Sequence, residues 1–136
     1  MAKLNIVEIK DRLAPLFNEE GLRIVLLFGS VASGKEYQES DIDLGFLFDR
    51  PIDILDLTNR VIQLLRTDKV DVIDLSRASP LLKYSAIRQG RALFEQVPGL
   101  YNIFKSLTFR VYVDTKKLRE AQERAIHNFL GERGLI

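Results

Sequence analysis

Ile6, Ile9, Leu13, Leu16 and Phe17 recur at three- and four-residue spacing, which places them on one face of an α-helix. Asn5 stands where an N-cap belongs, and Glu8, three residues on, completes a capping box. A first helix is therefore predicted to about Glu20, ended by Gly21. Leu22 to Phe28 is a short, largely aliphatic run of strand length, too apolar to leave either face in water, so this strand is expected at the centre of a sheet. Gly29-Ser30-Val31-Ala32-Ser33-Gly34 follows, and its small residues suit a tight turn with at most one or two helical turns. After the polar stretch Lys35 to Ser40, the run Asp41 to Phe48 opens with period-two alternation and ends fully apolar, as a second strand entering the core would.

Pro51 suits the first position of a helix, and Ile54, Leu57, Val61, Ile62 and Leu65 predict an amphipathic helix ending near Arg66. Val70 to Leu75 reads as a third strand. Ser79-Pro80 forms an N-cap and first-turn pair for a helix over Leu81 to Gln89, closed by Gly90, with Arg91 to Glu95 as a further short strand. Beyond the Pro98-Gly99 break, apolar positions from Tyr101 to Phe129 fit one long helix, or two meeting near Asp114-Thr115, before Gly131 ends the pattern. The fold class is α/β (α+β): a small mixed β-sheet with helices packed on it as a two-layer unit. Residues 1–136 are expected to form a single domain, with a core of about 22–95 and a helical tail of about 100–131.

At 136 residues the chain has the length of one domain, and 46% hydrophobic against 29% charged residues suffices for a core without a covalent staple. The formal charge of +1 is too balanced for sequence-independent binding of phosphate backbones, so no direct nucleic acid binding is expected. There is no Cys, and His127 is the single His. Thiolate and multi-His metal sites are thereby excluded, and any bound metal must be held by oxygen. Glu8 interrupts the apolar core a signal peptide needs, and no run approaches a membrane span, so a cytoplasmic protein is expected.

The candidate chemistry lies in the acids. Side chains at i and i+2 of a strand share a face, so Asp41 and Asp43 project together while Ile42 and Leu44 point to the core. At about 6 Å and an effective dielectric near 20 their repulsion is of order 3 kcal/mol, which raises a pKa or is offset by a cation. Asp71 interrupts the apolar third strand, and a buried charge there needs a partner. An all-oxygen donor set points to magnesium, which is typically held by one or two carboxylates together with substrate phosphates. The Gly29-Ser30 turn leaves the central strand just before the acids, and its N–H groups and the Ser30 hydroxyl suit a terminal phosphate. With ten Asp, a lone D-x-D is expected by chance about 0.7 times, whereas Gly-Ser, ten residues and then D-x-D is expected roughly 0.002 times. The spacing, not the acid pair alone, is the signal.

Gly29-Ser30, the ten-residue interval, Asp41-Ile42-Asp43 and the downstream Val70-Asp71-Val72 resemble the nucleotidyltransferase superfamily that includes polymerase beta. The short length and the phrases LFGSVASG, SDIDLGFLF and VDVIDLSRASPLLKYSAIRQGRALFE are similar to the minimal nucleotidyltransferase (MNT) antitoxins paired with HEPN ribonuclease toxins, over roughly Leu22 to Glu95. The resemblance implies that Asp41 and Asp43 bind two magnesium ions. It also implies that Asp71 is a third carboxylate, orienting or deprotonating the attacking hydroxyl, and that Gly29 and Ser30 hold the triphosphate of ATP. The implied reaction is transfer of AMP from ATP to a tyrosine hydroxyl of the HEPN partner, with release of pyrophosphate. Ser33 departs from the Arg that many members carry before the second glycine of the turn, and Lys35 is a candidate substitute for that charge.

Plainer readings stand beside these. Asp41 and Asp43 also suit a solvated strand end. Asp74, three residues beyond Asp71 and on the opposite face, becomes the third ligand if the register differs. Ser30 also suits a helix N-cap, which uses the same N–H cluster, and Ser40 suits a turn. Lys83 and Arg88 read as solvated helix charges, His127 as surface, and Tyr101, Phe104 and Phe109 as core or as a partner surface. Three rival functions remain: an antitoxin that inhibits its partner by contact alone, a transferase acting on a small hydroxylated molecule such as an aminoglycoside, and a nucleotide sensor that binds ATP without transfer.

Overall fold

The computed structural model describes residues 4–29 and 41–136. Helix α1 (Ile6–Leu13) opens on Asn5, whose side chain accepts the Glu8 N–H at 2.8 Å. The helix does not run on to Glu20. Pro15 has no N–H to donate, and the chain tightens at that point into a 3₁₀ helix over Ala14–Asn18. Strands β1 (Leu22–Phe28) and β2 (Ile42–Phe48) follow. Helix α2 (Ile54–Leu65) is capped by Asp53, which accepts from the N–H groups of Leu55 and Asp56, so Pro51 lies ahead of the cap rather than inside the first turn. Strand β3 (Val70–Asp74), helix α3 (Pro80–Arg88), strand β4 (Arg91–Glu95) and helix α4 (Leu100–Glu132) complete the order. Ser79 caps α3 by accepting the Leu82 N–H at 3.1 Å, as its place before Pro80 predicts.

The sheet order is β3-β2-β1-β4, with β1 antiparallel to both neighbours and β2 parallel to β3. The largely apolar β1 is therefore interior, as expected, and α2 makes the crossover that a parallel pair requires. One face of the sheet packs Val25, Leu27, Leu44 and Phe46 against Ile9 and Leu13 of α1 and Leu57, Val61 and Leu65 of α2. The other packs Ile24, Leu26 and Leu75 against Ala86 of α3 and Tyr101 of α4. Helices thus cover both faces and the unit has three layers, not two, because β1 carries apolar side chains on both sides and Leu47 of β2 joins it on the second face.

The tail is one continuous helix through Asp114 and Thr115, and Gly131 lies within it. Thr115 Oγ1 donates back to the Val111 carbonyl at 2.7 Å, so its hydroxyl is satisfied without ending the helix. Tyr101 is buried against the sheet and α3, Thr108 is buried too, and Tyr112 stacks on Tyr84 of α3 with ring centroids 3.8 Å apart. Phe104 is partly buried and Phe109 is exposed, so the tail aromatics divide between core and surface. No helix among the described residues is long and apolar enough to cross a membrane.

Candidate active site

Two registers bring the candidate residues together. In the antiparallel pairing of β1 with β2, Phe28 lies opposite Asp43, so the chain leaves β1 at Gly29 beside that acid. In the parallel pairing of β2 with β3, Asp43 lies opposite Asp71, and adjacent strands stand about 4.8 Å apart. Ile42 and Leu44 are buried in the core beneath α1 and α2, with Val70 and Val72 packed against the same cluster. Alternation then turns Asp43 and Asp71 toward the other face together. Asp41 stands exposed just before β2, where the Ile42 N–H donates to the Lys69 carbonyl at 2.9 Å.

Gly29 is in contact with the acid. Its φ of +78° is a left-handed conformation that L side chains rarely adopt, and a Cβ placed there would run into Asp43 Oδ2. The turn therefore favours glycine at this position, and any side chain there would displace the Asp43 carboxylate. Ser30, Ser33, Lys35 and Ser40 lie outside the described residues.

Asp43 is the electrostatic centre of the group. Partial burial pushes its carboxyl above the ordinary carboxylate range, and the charges of Asp71 and then Asp41 push it further in the same direction. Asp43 disfavoured as a charge beside Asp71 and Asp41, with no nitrogen or sulfur donor in the group, matches a hard divalent cation that also takes phosphate oxygens. The chemistry of the donor set thus fits magnesium. Among the described residues, however, no three His, Cys, Asp or Glu side chains converge as a ready-made ion cage.

Asp74 is separated from this group. It pairs with Phe46, three residue pairs or about 10 Å along the strands from the Asp43–Asp71 level. Its Oδ1 accepts from the Ser76 N–H at 3.0 Å and the Ser76 hydroxyl at 2.7 Å, closing the turn after β3. Lys83 and Arg88 lie on α3, and neither forms an ion pair among the described residues. His127 is exposed on the far half of α4. The contact of Gly29 with Asp43 is the feature that sequence reasoning missed: both residues were singled out, but the pairing of β1 with β2 decides that they touch.

The description "Polymerase beta, Nucleotidyltransferase" belongs to a family whose profile matches residues 11–98, a span containing all four strands and each acid named above. The chain belongs to this nucleotidyltransferase family, and within it resembles the MNT antitoxins. It is 25% identical over 126 residues, 84% of each chain, to the protein adenylyltransferase MntA of Aphanizomenon flos-aquae. It matches a chain of a toxin-antitoxin crystallised with AMP-PNP at a TM-score of 0.74 and 28% identity, over 91% of this chain and 99% of that one. A chain of the toxin-antitoxin MntA-HepT matches at 0.70 and 26% identity, over 93% and 99% respectively.

Proposed function

We propose that this chain is a magnesium-dependent protein adenylyltransferase of the antitoxin type, which transfers AMP from ATP to a tyrosine hydroxyl of a HEPN ribonuclease partner and so neutralises it. The observation that carries this reading is the parallel register of β2 and β3, which sets Asp71 beside Asp43 at the point where Gly29 turns out of β1. The likeness to protein adenylyltransferase MntA and to a toxin-antitoxin with AMP-PNP supports the choice of a nucleotide and a protein acceptor.

In this reading the phenolic oxygen forms a bond to the α-phosphorus of ATP, the bond from that phosphorus to the β-phosphate oxygen breaks, and pyrophosphate leaves. Asp41 and Asp43 would hold the cations, whose chemistry is to stabilise the entering and leaving oxygens. Asp71, at the outer edge of the pair, would orient the acceptor hydroxyl and take its proton. Gly29, with Ser30, would hold the triphosphate, because no side chain at Gly29 obstructs approach to the backbone. Replacement Asp43→Asn should abolish label transfer from α-labelled ATP while the circular dichroism spectrum stays native. Undiminished transfer would refute the assignment.

A second reading, inhibition by contact without transfer, is favoured by one observation: the acids do not converge as they stand. Intact-mass measurement of the co-expressed partner separates the two. An added AMP supports the enzyme. An unmodified partner, fully neutralised by an Asp41→Asn/Asp43→Asn double variant, supports the blocker.

A further inference from the structure

Helix α4 outruns the body it packs on. Its buried residues, Tyr101 and Thr108, lie in the first half, and from Lys116 to Glu132 no residue is buried. Those seventeen positions make about 25 Å of helix at 1.5 Å per residue. An isolated helix of that length is marginal in water without an apolar face to pack.

Such a face exists. Leu107, Val111, Leu118, Ala121 and Ala125 recur at the alternating three- and four-residue steps of a coiled-coil seam, interrupted by Asp114. The large ones are open to solvent: Leu107 is 54% exposed, Val111 46% and Leu118 59%. The two alanines leave room for bulky side chains of a partner. One flank of the seam carries Arg110, Lys117 and Arg124 at seven-residue spacing, all exposed and in no ion pair among the described residues. The other flank carries Thr115 and Gln122, which are uncharged.

This asymmetry selects the occupant. Two copies of α4 packed antiparallel would bring basic row against basic row, and packed parallel would set each row against Thr115 and Gln122. Neither arrangement supplies a row of acidic partners, Asp114 being the one acid on the seam positions themselves. We infer that the α4 seam docks an apolar helical face of a heterologous protein that carries a row of Asp or Glu along one edge, holding that protein while its acceptor side chain reaches the acids at the start of β2 and β3. The inference rests on the proposed reading in taking the docked protein to be the transferase's substrate.

The test uses the full chain co-expressed with a HEPN-family ribonuclease. Replacement Leu118→Asp should weaken the complex at least a hundredfold, since it puts a charge at the centre of an apolar contact. Arg110→Glu/Lys117→Glu/Arg124→Glu should weaken it about tenfold and remove its salt dependence. Lys116→Glu, away from the seam, should change neither. All are exposed positions, and circular dichroism verifies the fold. Wild-type-like binding by both seam variants overturns the inference, as does the absence of any complex with the wild-type chain. A dimer of the chain alone that Leu118→Asp dissolves also overturns it. Asp43→Asn must still bind; a wild-type complex that forms normally but shows no AMP transfer sinks the catalytic reading and leaves the docking surface standing.

Discussion

Replacing Asp43 by Asn should stabilise the protein while removing its chemistry. The amide keeps the shape of the carboxylate beside Gly29 and discards a charge that burial, Asp71 and Asp41 all disfavour. At about 6 Å, one carboxylate repels another by about 3 kcal/mol at an effective dielectric of 20 and by about 0.7 kcal/mol in water. Asp71 is exposed and Asp43 partly so, which places the gain near the lower figure, at about 1 kcal/mol. For a chain of this size that is about 3–5 °C in Tm.

The sign with pH follows from the direction of the shift. An acid whose folded pKa lies above its unfolded value of 3.8 binds its proton more tightly in the native state, so native stability falls as pH rises through that interval. The advantage of Asp43→Asn should therefore be full at pH 7–8, shrink as pH falls through the raised pKa toward 3.8, and vanish below that value, where both states of the wild type take up the proton. Thermal melts of both proteins across this range measure it. Millimolar magnesium adds a second arm: a cation bound by the native state at ten times its dissociation constant stabilises by about 1.4 kcal/mol, and the variant should lose most of that gain. A variant less stable than wild type at pH 8, or an advantage independent of pH, would refute the electrostatic account of the site.

Two further outcomes follow from backbone geometry. Gly29→Ala places a Cβ against Asp43 Oδ2 at a left-handed φ, so it should destabilise by about 1–3 kcal/mol in denaturant melts and depress label transfer even though it removes no polar group. Arg66, the C-cap of α2, has φ 59° and ψ 34°, so Arg66→Gly should stabilise by about 0.5–1 kcal/mol, read as a raised denaturation midpoint with an unchanged m-value; a lowered midpoint would contradict the strain assigned there.

Much of the fold was legible because its signals are local. The run Leu22–Phe28, the alternation at Asp41 to Leu44, the Ser79-Pro80 cap and the break at Pro98-Gly99 each act within a few residues, where side-chain period and backbone restriction operate directly. The spacing from Gly29-Ser30 to Asp41-Ile42-Asp43 is equally local and carried the resemblance to the nucleotidyltransferases, with which the family profile agrees. Pro15 misled less by its presence than by the apolar period running across it, since Leu16 and Phe17 keep the helical spacing although the backbone has changed to 3₁₀.

Tertiary pairing decided the rest. Nothing within Val70–Asp74 says which acid meets Asp43. The parallel register with β2 does, by matching Ile42 with Val70, burying the apolar partners on one face and leaving Asp71 beside Asp43 while Asp74 closes a distant turn. The contact of Gly29 with Asp43 and the division of helices between the two faces arise in the same way, from strands distant in sequence settling side by side. Periodicity tells a residue which way it faces; only the partner strand determines what it faces with.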